Sequence, residues 1–149
     1  MIEYRDARAD DLPAIVALLA DDALGAKREN AADIAPYARA FTALTTQPGN
    51  AIIVGDDGGE IVACLQLTIV PGLSRRGATR AFIEGVRVAA SRRGQRIDEA
   101  IVENAIARAK KAGARLVQLT SDKSRLDAHR FYERLGFKAT HIGMKLELT

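Results

Sequence analysis

Residues 92–98, Arg-Arg-Gly-Gln-Arg-Ile-Asp, stand where an apolar run, Val86 to Ala89, hands over to a long amphipathic segment. That position gives them their chemistry. The first turn of a helix carries backbone N–H groups with no intrahelical partner, and the helix dipole adds partial positive charge at the same end. Arginines crowded there, with a glycine that lets a ligand approach the backbone closely, describe a site for a phosphate-bearing group, a diphosphate first of all. For Arg92, Arg93 and Arg96 the plainer alternative is a solvated helix face, but such a face does not require three arginines beside one helix start. Asp98 admits two readings. Its carboxylate either competes with an anion for the helix start or caps the helix in the ordinary way.

A second constellation follows, Ala128-His129-Arg130-Phe131-Tyr132-Glu133-Arg134-Leu135-Gly136-Phe137. Together with Arg93-Gly94-Gln95-Arg96-Ile97-Asp98 it resembles the GNAT superfamily, the acyl-CoA-dependent N-acetyltransferases. That family's pattern is [Q/R]-x-x-G-x-[G/A] between a strand and a helix, then A-x-x-F-Y-x-x-x-G-F. The second part matches closely. In the first, Arg96 and Asp98 stand where the family usually has Gly and Gly or Ala. The resemblance covers roughly the C-terminal half, and the N-terminal half fits the family's element order without a specific motif.

What the resemblance implies is concrete. Backbone N–H groups across Arg93, Gly94, Gln95, Arg96, Ile97 and Asp98 would hold the CoA pyrophosphate. Val86 and Val88 would offer backbone groups to the pantetheine arm, and Phe131 would lie at the cofactor beside Tyr132. Arg125 stands where the family often has Asn, and it either reaches polar groups of CoA or is simply solvated. Tyr132 matches the tyrosine whose hydroxyl protonates the departing thiolate. A phenol suits that role because its unperturbed pKa of about 10 keeps it protonated near neutrality. The alternative is a half-buried aromatic that anchors a helix.

Glu84 is a lone carboxylate in an apolar strand, Arg80 to Ala89. The resemblance implies a base there, acting on the amine directly or through water. An amine must be neutral to attack a thioester, so a desolvated carboxylate is physically suited to take its proton. An internal ion pair with Arg80 or Arg87 is the competing reading. Strand alternation predicts that Glu84 shares a face with Phe82, Val86 and Val88, opposite Ile83, Gly85 and Arg87.

The elements that would position these residues are legible along the chain. Ile2 to Ala7 predicts a strand, and Ala9-Asp10-Asp11-Leu12-Pro13 a helix start with proline in its first turn. Leu24 to Asn30 reads as irregular, and Ala32 to Thr45 as a second helix stopped by Gln47-Pro48-Gly49-Asn50. Ala51 to Val54 and Glu60 to Val70 predict a hairpin around Asp56-Asp57-Gly58-Gly59. After the Pro71 to Thr79 connection come the central strand, a helix from Ile97 to Ala112, a short strand from Leu116 to Leu119, a helix from Leu126 to Leu135, and a final alternating strand from Ile142 to Leu148. The order β-α-α-β-β-β-α-β-α-β implies one α/β domain over residues 1–149, with a mixed central sheet and helices on both faces. That is the fold the resemblance also implies.

Bulk properties narrow the function classes. The chain has 149 residues, 48% hydrophobic and 28% charged, with a formal charge of +3. No apolar run reaches the ~20 residues a bilayer crossing requires, and no signal core precedes the first strand pattern, so a cytoplasmic protein without a membrane partner is expected. Only 5% of residues are aromatic and no nucleic-acid motif is visible, which argues against a nucleic-acid partner. Cys64 lies among apolar strand residues and reads as a small hydrophobe. His129 and His141 are isolated, and no cluster has metal-ligand spacing. The expected reaction is acetyl transfer from acetyl-CoA to a primary amine of a small molecule or peptide, by direct transfer in a ternary complex. A non-catalytic CoA-binding or interaction module with a degenerate phosphate loop is the alternative, and a homodimer is implied only as the family's habit. Arg75, Arg76 and Arg80 point to an acceptor carrying a carboxylate or phosphate.

Overall fold

The computed structural model describes residues 1–149. Strand β1, Glu3–Asp6, leads through a 3-10 turn, Ala9–Asp11, into helix α1, Leu12–Ala20. A single turn, α2, Gly25–Arg28, lies in the segment expected to be irregular, and α3 runs Ala35–Thr46. The hairpin follows as β2, Asn50–Asp57, and β3, Glu60–Val70, with Gly58 and Gly59 at positive φ in its turn. Then come the short turn α4, Ser74–Gly77, strand β4, Arg80–Val88, helix α5, Ile97–Lys111, strand β5, Leu116–Gln118, and helix α6, Leu126–Arg134.

The five strands form one sheet in the order β1-β2-β3-β4-β5. Neighbours are antiparallel except β4 and β5, which are parallel because α5 carries the chain across between them. Helices cover both faces. The α5 stripe of Ile97, Ile101, Val102, Ala105 and Ala109 is buried against Ile53, Ala63, Leu65, Leu67 and Ile83. On the other face Ile15 and Leu18 of α1 close over Val54 and Cys64. Each large aliphatic side chain so buried contributes about 1.5–3 kcal/mol, so the α5 contact is the main support of the basic turn at that helix's start. At the far edge Arg5 joins three elements. Its guanidinium donates to Asp11 Oδ2 at 2.8 Å and to Asp56 Oδ2 at 3.0 Å, tying β1 to the turn before α1 and to β2.

Two expectations need correction. No strand forms at Ile142 to Leu148; residues 138–149 make no ladder with the sheet, and Ile142, Met144, Leu146 and Leu148 are exposed. A lone strand gains nothing until its N–H and C=O groups find a ladder, and this segment pairs with neither edge of the sheet.

The second correction concerns the central strand. Cys64 pairs with Arg87 and Gln66 with Glu84, so Leu65 of β3 faces two residues of β4, Gly85 and Val86. This is a β-bulge, and Gly85 adopts φ +62° within it. The extra residue reverses the alternation. Val86 and Val88 therefore pack with Ile83 on the α5 side, whereas Glu84 shares the opposite face with Arg87, whose partner Cys64 faces α1. Glu84 and the two valines do not share a face.

Replacing Gly85 by alanine isolates the backbone requirement of the bulge. A Cβ there would meet only Leu19 Cδ2 at 3.6 Å, ordinary van der Waals contact, so crowding is not the issue. The left-handed conformation is, and Gly85→Ala should lower unfolding stability by about 1–2 kcal/mol in urea titration. An unchanged midpoint would mean that the bulge tolerates a side chain and that glycine is not required for it.

Candidate active site

The basic turn is built from a short 3-10 turn, Ala90–Arg92, followed by Arg93 to Arg96 and the first residues of α5. Arg92 does not face a ligand. It donates to Glu60 at 3.1 Å and pairs with Asp57 at 2.8 Å, clamping the turn to the β2–β3 hairpin. Gly94 and Arg96 both take positive φ, +80° and +60°, and this alternation curls successive N–H groups toward one side. None of the N–H groups from Gly94 to Asp98 donates to a backbone carbonyl. A Cβ at Gly94 would meet nothing within 4 Å, so the space above the turn is open.

The two residues that depart from the family pattern are engaged locally. Arg96, left-handed at the N-cap of α5, turns its guanidinium onto Glu99, with Nε to Oε2 at 2.8 Å and Nη2 to Oε1 at 2.7 Å. That bidentate pair holds the Glu99 carboxyl below its usual range. Asp98, the second residue of α5, accepts the N–H of its neighbour Glu99 at 2.9 Å, so its carboxylate is engaged within the first turn of the helix. Arg93 is exposed and has no ion-pair partner, which leaves it the free cation of the turn. The i, i+3 spacing of Arg96 and Glu99 was visible in the sequence; what could not be read there was that Arg96 would be left-handed and paired with Glu99 at the cleft.

A cleft of about 530 Å³ connects this turn to α6, lined by Gly94, Arg96, Asp98 and Glu99 on one side and by Phe131, Arg134 and Leu135 on the other. The two motifs quoted from the sequence thus meet across one opening. Gln95 is exposed at the rim, and Ile97 is buried beneath it as the first residue of the α5 stripe.

Tyr132 sits one residue behind that wall. Its ring packs edge-on against Phe131 at 5.0 Å and Phe137 at 5.7 Å between centroids. Burial pushes the phenol above its ordinary value, although the charges of Arg125 and Arg87 pull the other way. The hydroxyl therefore stays protonated and uncommitted, since no hydrogen bond within the chain holds it. Arg125, at the N-cap of α6, is exposed with its charge directed toward Tyr132 and Asp22. Asp22 and Arg87 were not singled out in the sequence. Arg87 Nε lies 3.2 Å from Asp22 Oδ2, and although burial alone would raise the Asp22 carboxyl, the Gly25 N–H together with Arg87 and Arg125 holds it low. Nothing in their spacing announces that a helix end and a mid-strand residue will meet beside Tyr132.

Glu84 is exposed and makes neither of the expected ion pairs: Arg87 goes to Asp22, and Arg80 lies over the Phe82 ring at 5.5 Å. Cys64 is sealed, and burial pushes its thiol up to about 12, so it holds no thiolate for nucleophilic work. No group of three or more His, Cys, Asp and Glu side chains could hold a metal ion, and no helix is long and apolar enough to cross a membrane.

Comparison with known proteins accords with this geometry. The acetyltransferase (GNAT) family model matches residues 12–137. An aminoalkylphosphonate N-acetyltransferase of Salmonella typhimurium is 30% identical over 140 residues, covering 94% of this chain and 87% of that protein. The crystal structure of a transcriptional regulator from Bacillus halodurans C-125 superposes with a TM-score of 0.96 at 47% identity, over 99% of this chain and 100% of that one. A provisionally named acetyltransferase from Agrobacterium tumefaciens str. C58 gives 0.85 at 31% identity, again over 99% and 100%. With a basic turn at a helix start, a bulged central strand and the tyrosine helix arranged as described, the chain belongs to the acetyltransferase (GNAT) family.

Proposed function

We propose that this protein moves an acetyl group from acetyl-CoA directly to a primary amine, with both substrates bound together and no acyl-enzyme intermediate. The observation that carries the reading is the shared cleft between the unbonded N–H groups of the α5 turn and the Phe131 edge of α6, with Tyr132 packed directly behind Phe131. One end suits a pyrophosphate and the other a thioester sulfur. The pyrophosphate takes the N–H groups from Gly94 to Asp98, with Arg93 supplying charge, while the bulge at Gly85 interrupts the β3 ladder and turns backbone groups near Val86 and Val88 to the pantetheine arm. Arg125 stands over the far end of the same edge. Sealing of Cys64 supports direct transfer, because the chain's one thiol is not a nucleophile.

The neutral amine attacks the thioester carbonyl carbon, the C–N bond forms, and the C–S bond breaks. The amine proton passes to Glu84 or to a water beside it, and Tyr132 gives its proton to the sulfur. Proximity supplies much of the rate, since a neutral amine and a thioester held in contact need little further assistance. On the acceptor side we read an amine that carries an anionic group. Arg75 and Arg76 are both left-handed and exposed, and Arg80 Nε is buried without a hydrogen-bond partner, three cations with no carboxylate facing them. The similarity to an aminoalkylphosphonate N-acetyltransferase agrees with such an acceptor. Residues 1–149 are read as one acetyltransferase domain acting in the cytoplasm on a small molecule or peptide, without metal or nucleic acid.

Three substitutions test these roles. Arg93→Ala should weaken CoA binding roughly tenfold at low salt in calorimetric titration, with the difference shrinking as salt screens the charge; equal affinity at low salt would remove Arg93 from the site. Tyr132→Phe deletes only the hydroxyl, so kcat should fall by roughly 10²-fold while CoA affinity stays near that of the parent protein. A loss confined to CoA affinity would instead make Tyr132 a packing residue. Glu84→Gln should abolish the acidic limb of the pH–rate profile, leaving activity to follow the fraction of acceptor amine already deprotonated in solution. A parent-like profile would assign the base to water or another group.

A further inference from the structure

Three charged side chains from three elements gather beside Tyr132: Asp22 at the end of α1, Arg87 of β4 and Arg125 at the start of α6. None of them carries a step of the proposed transfer. Asp22 is fixed by the corner between α1 and α2. Its Oδ1 accepts the Gly25 N–H at 2.5 Å, and Gly25 packs so closely that a Cβ there would lie 1.9 Å from the Leu19 carbonyl oxygen. Only glycine fits that corner, so the carboxylate has one place to stand.

Arg87 follows the bulge at Gly85 and leaves β4 toward α1. Its Nη1 folds back to donate to the Val86 carbonyl oxygen at 2.9 Å, and its Nε lies 3.2 Å from Asp22 Oδ2 without the alignment of a hydrogen bond, so the pair acts through charge. Val86 and Tyr132 rest on the same core, which keeps this guanidinium near the tyrosine. Arg125, the N-cap of α6, precedes Tyr132 by seven residues, about two turns, and therefore shares its helix face. Helical side chains lean toward the N-terminus, which directs the Tyr132 ring toward Arg125.

These groups set a charge balance around the phenol. Burial raises the Tyr132 hydroxyl, Arg125 and then Arg87 pull it down, and Asp98 of α5 opposes them least of all. Burial alone would raise the Asp22 carboxyl as well, but the Gly25 N–H, Arg87 and Arg125 hold it low, so it stays ionised. Asp22 thereby compensates Arg87. Arg125 is exposed and in no salt bridge, and its charge is the one left unmatched.

We infer that Arg125 is a positioning residue that sets how readily Tyr132 releases its proton, by matching the negative charge left on the phenol oxygen, and that Asp22 restrains Arg87 from adding to the effect. The catalytic use of this balance rests on the acid role proposed for Tyr132. When the C–S bond breaks, its electron pair goes to sulfur and the Tyr132 hydroxyl proton follows to that sulfur. A phenolate remains until water returns a proton. Within a half-buried aromatic pocket such an anion is costly alone, and a neighbouring guanidinium with no other partner offsets the cost at the moment it arises. Asparagine, which the family often has at this position, supplies a dipole without a charge, so the effect belongs to the arginine of this chain.

With 3-fluorotyrosine in place of tyrosine the phenols titrate at lower pH, and Tyr4, Tyr37 and Tyr132 give three ¹⁹F signals, the last assigned by its loss in Tyr132→Phe. Arg125→Gln should move the Tyr132 midpoint to higher pH. Asp22→Asn, which keeps an oxygen for the Gly25 N–H, should move it to lower pH by freeing Arg87. Arg125→Lys should hold it near the parent value. Loosened packing would reduce burial and move both variants in the same direction, so opposite signs separate charge from structure. In acetyl transfer Arg125→Gln should lower kcat by roughly 3–10-fold with KM for acetyl-CoA little changed. An unmoved midpoint in Arg125→Gln, shifts of one sign in both variants, or a kcat loss in Tyr132→Phe without one in Arg125→Gln would each overturn the inference. Opposite shifts together with a fully active Tyr132→Phe would leave it standing and remove the acid role from the proposed function instead.

Discussion

The bulge at Gly85 is the constraint on which the active-site geometry depends. A regular β4 would pair residue for residue with β3, bury every N–H and C=O of its middle in the ladder, and place Glu84 over Val86 and Val88. One extra residue opposite Leu65 changes all three at once. The ladder opens, the valines turn toward α5, and Glu84 faces the side where Arg87 meets Asp22. A left-handed conformation at that point is a small local expense that a glycine reduces further.

From that strand the rest of the site is hung by two different kinds of contact. The basic turn is held by apolar burial along α5, from Ile97 to Ala109, and by the Arg92 clamp to Asp57 and Glu60. The tyrosine helix is held more lightly, through aromatic edges among Phe131, Tyr132 and Phe137 and with none of its residues fully buried. The α5 end of the cleft is therefore rigidly placed and the α6 end is the softer of the two. Burial and backbone hydrogen bonding differ between the two ends in the way that local stability follows.

Much of this was legible in the sequence where one local rule decided the outcome. Hydrophobic periodicity located α1 and α5, the Asp-Asp-Gly-Gly turn located the hairpin, and Gly94, Arg96 and Asp98 of the first motif meet Phe131, Arg134 and Leu135 of the second across one cleft. Where two rules competed, the sequence alone could not rank them. Alternation in Arg80 to Val88 assumes an unbroken pleat, and only the pairing partner reveals that Gly85 breaks it. The positions at Arg96 and Asp98 were recognisable as departures from a glycine-rich pattern. Their resolution, one side chain pinned by Glu99 and the other bonded to the Glu99 N–H, required neighbours whose positions the spacing does not fix. The alternating segment from Ile142 to Leu148 has the pattern of a strand and no partner within its own chain.

Cys64 has a consequence for how the enzyme lives with its product. Each turnover of a family member releases free CoA, a thiol, and this protein carries one cysteine of its own. Mixed disulfides form when a thiolate attacks an accessible disulfide sulfur, and Cys64 fails both conditions: its proton is held to about 12, and its Sγ is enclosed 3.8 Å from the Gly85 carbonyl oxygen. Oxidised CoA dimers or glutathione disulfide in the surrounding solution find no protein thiol to couple with. The folded protein is thereby insulated from the redox state of the cofactor pool it draws on, without any cysteine having been removed from its core.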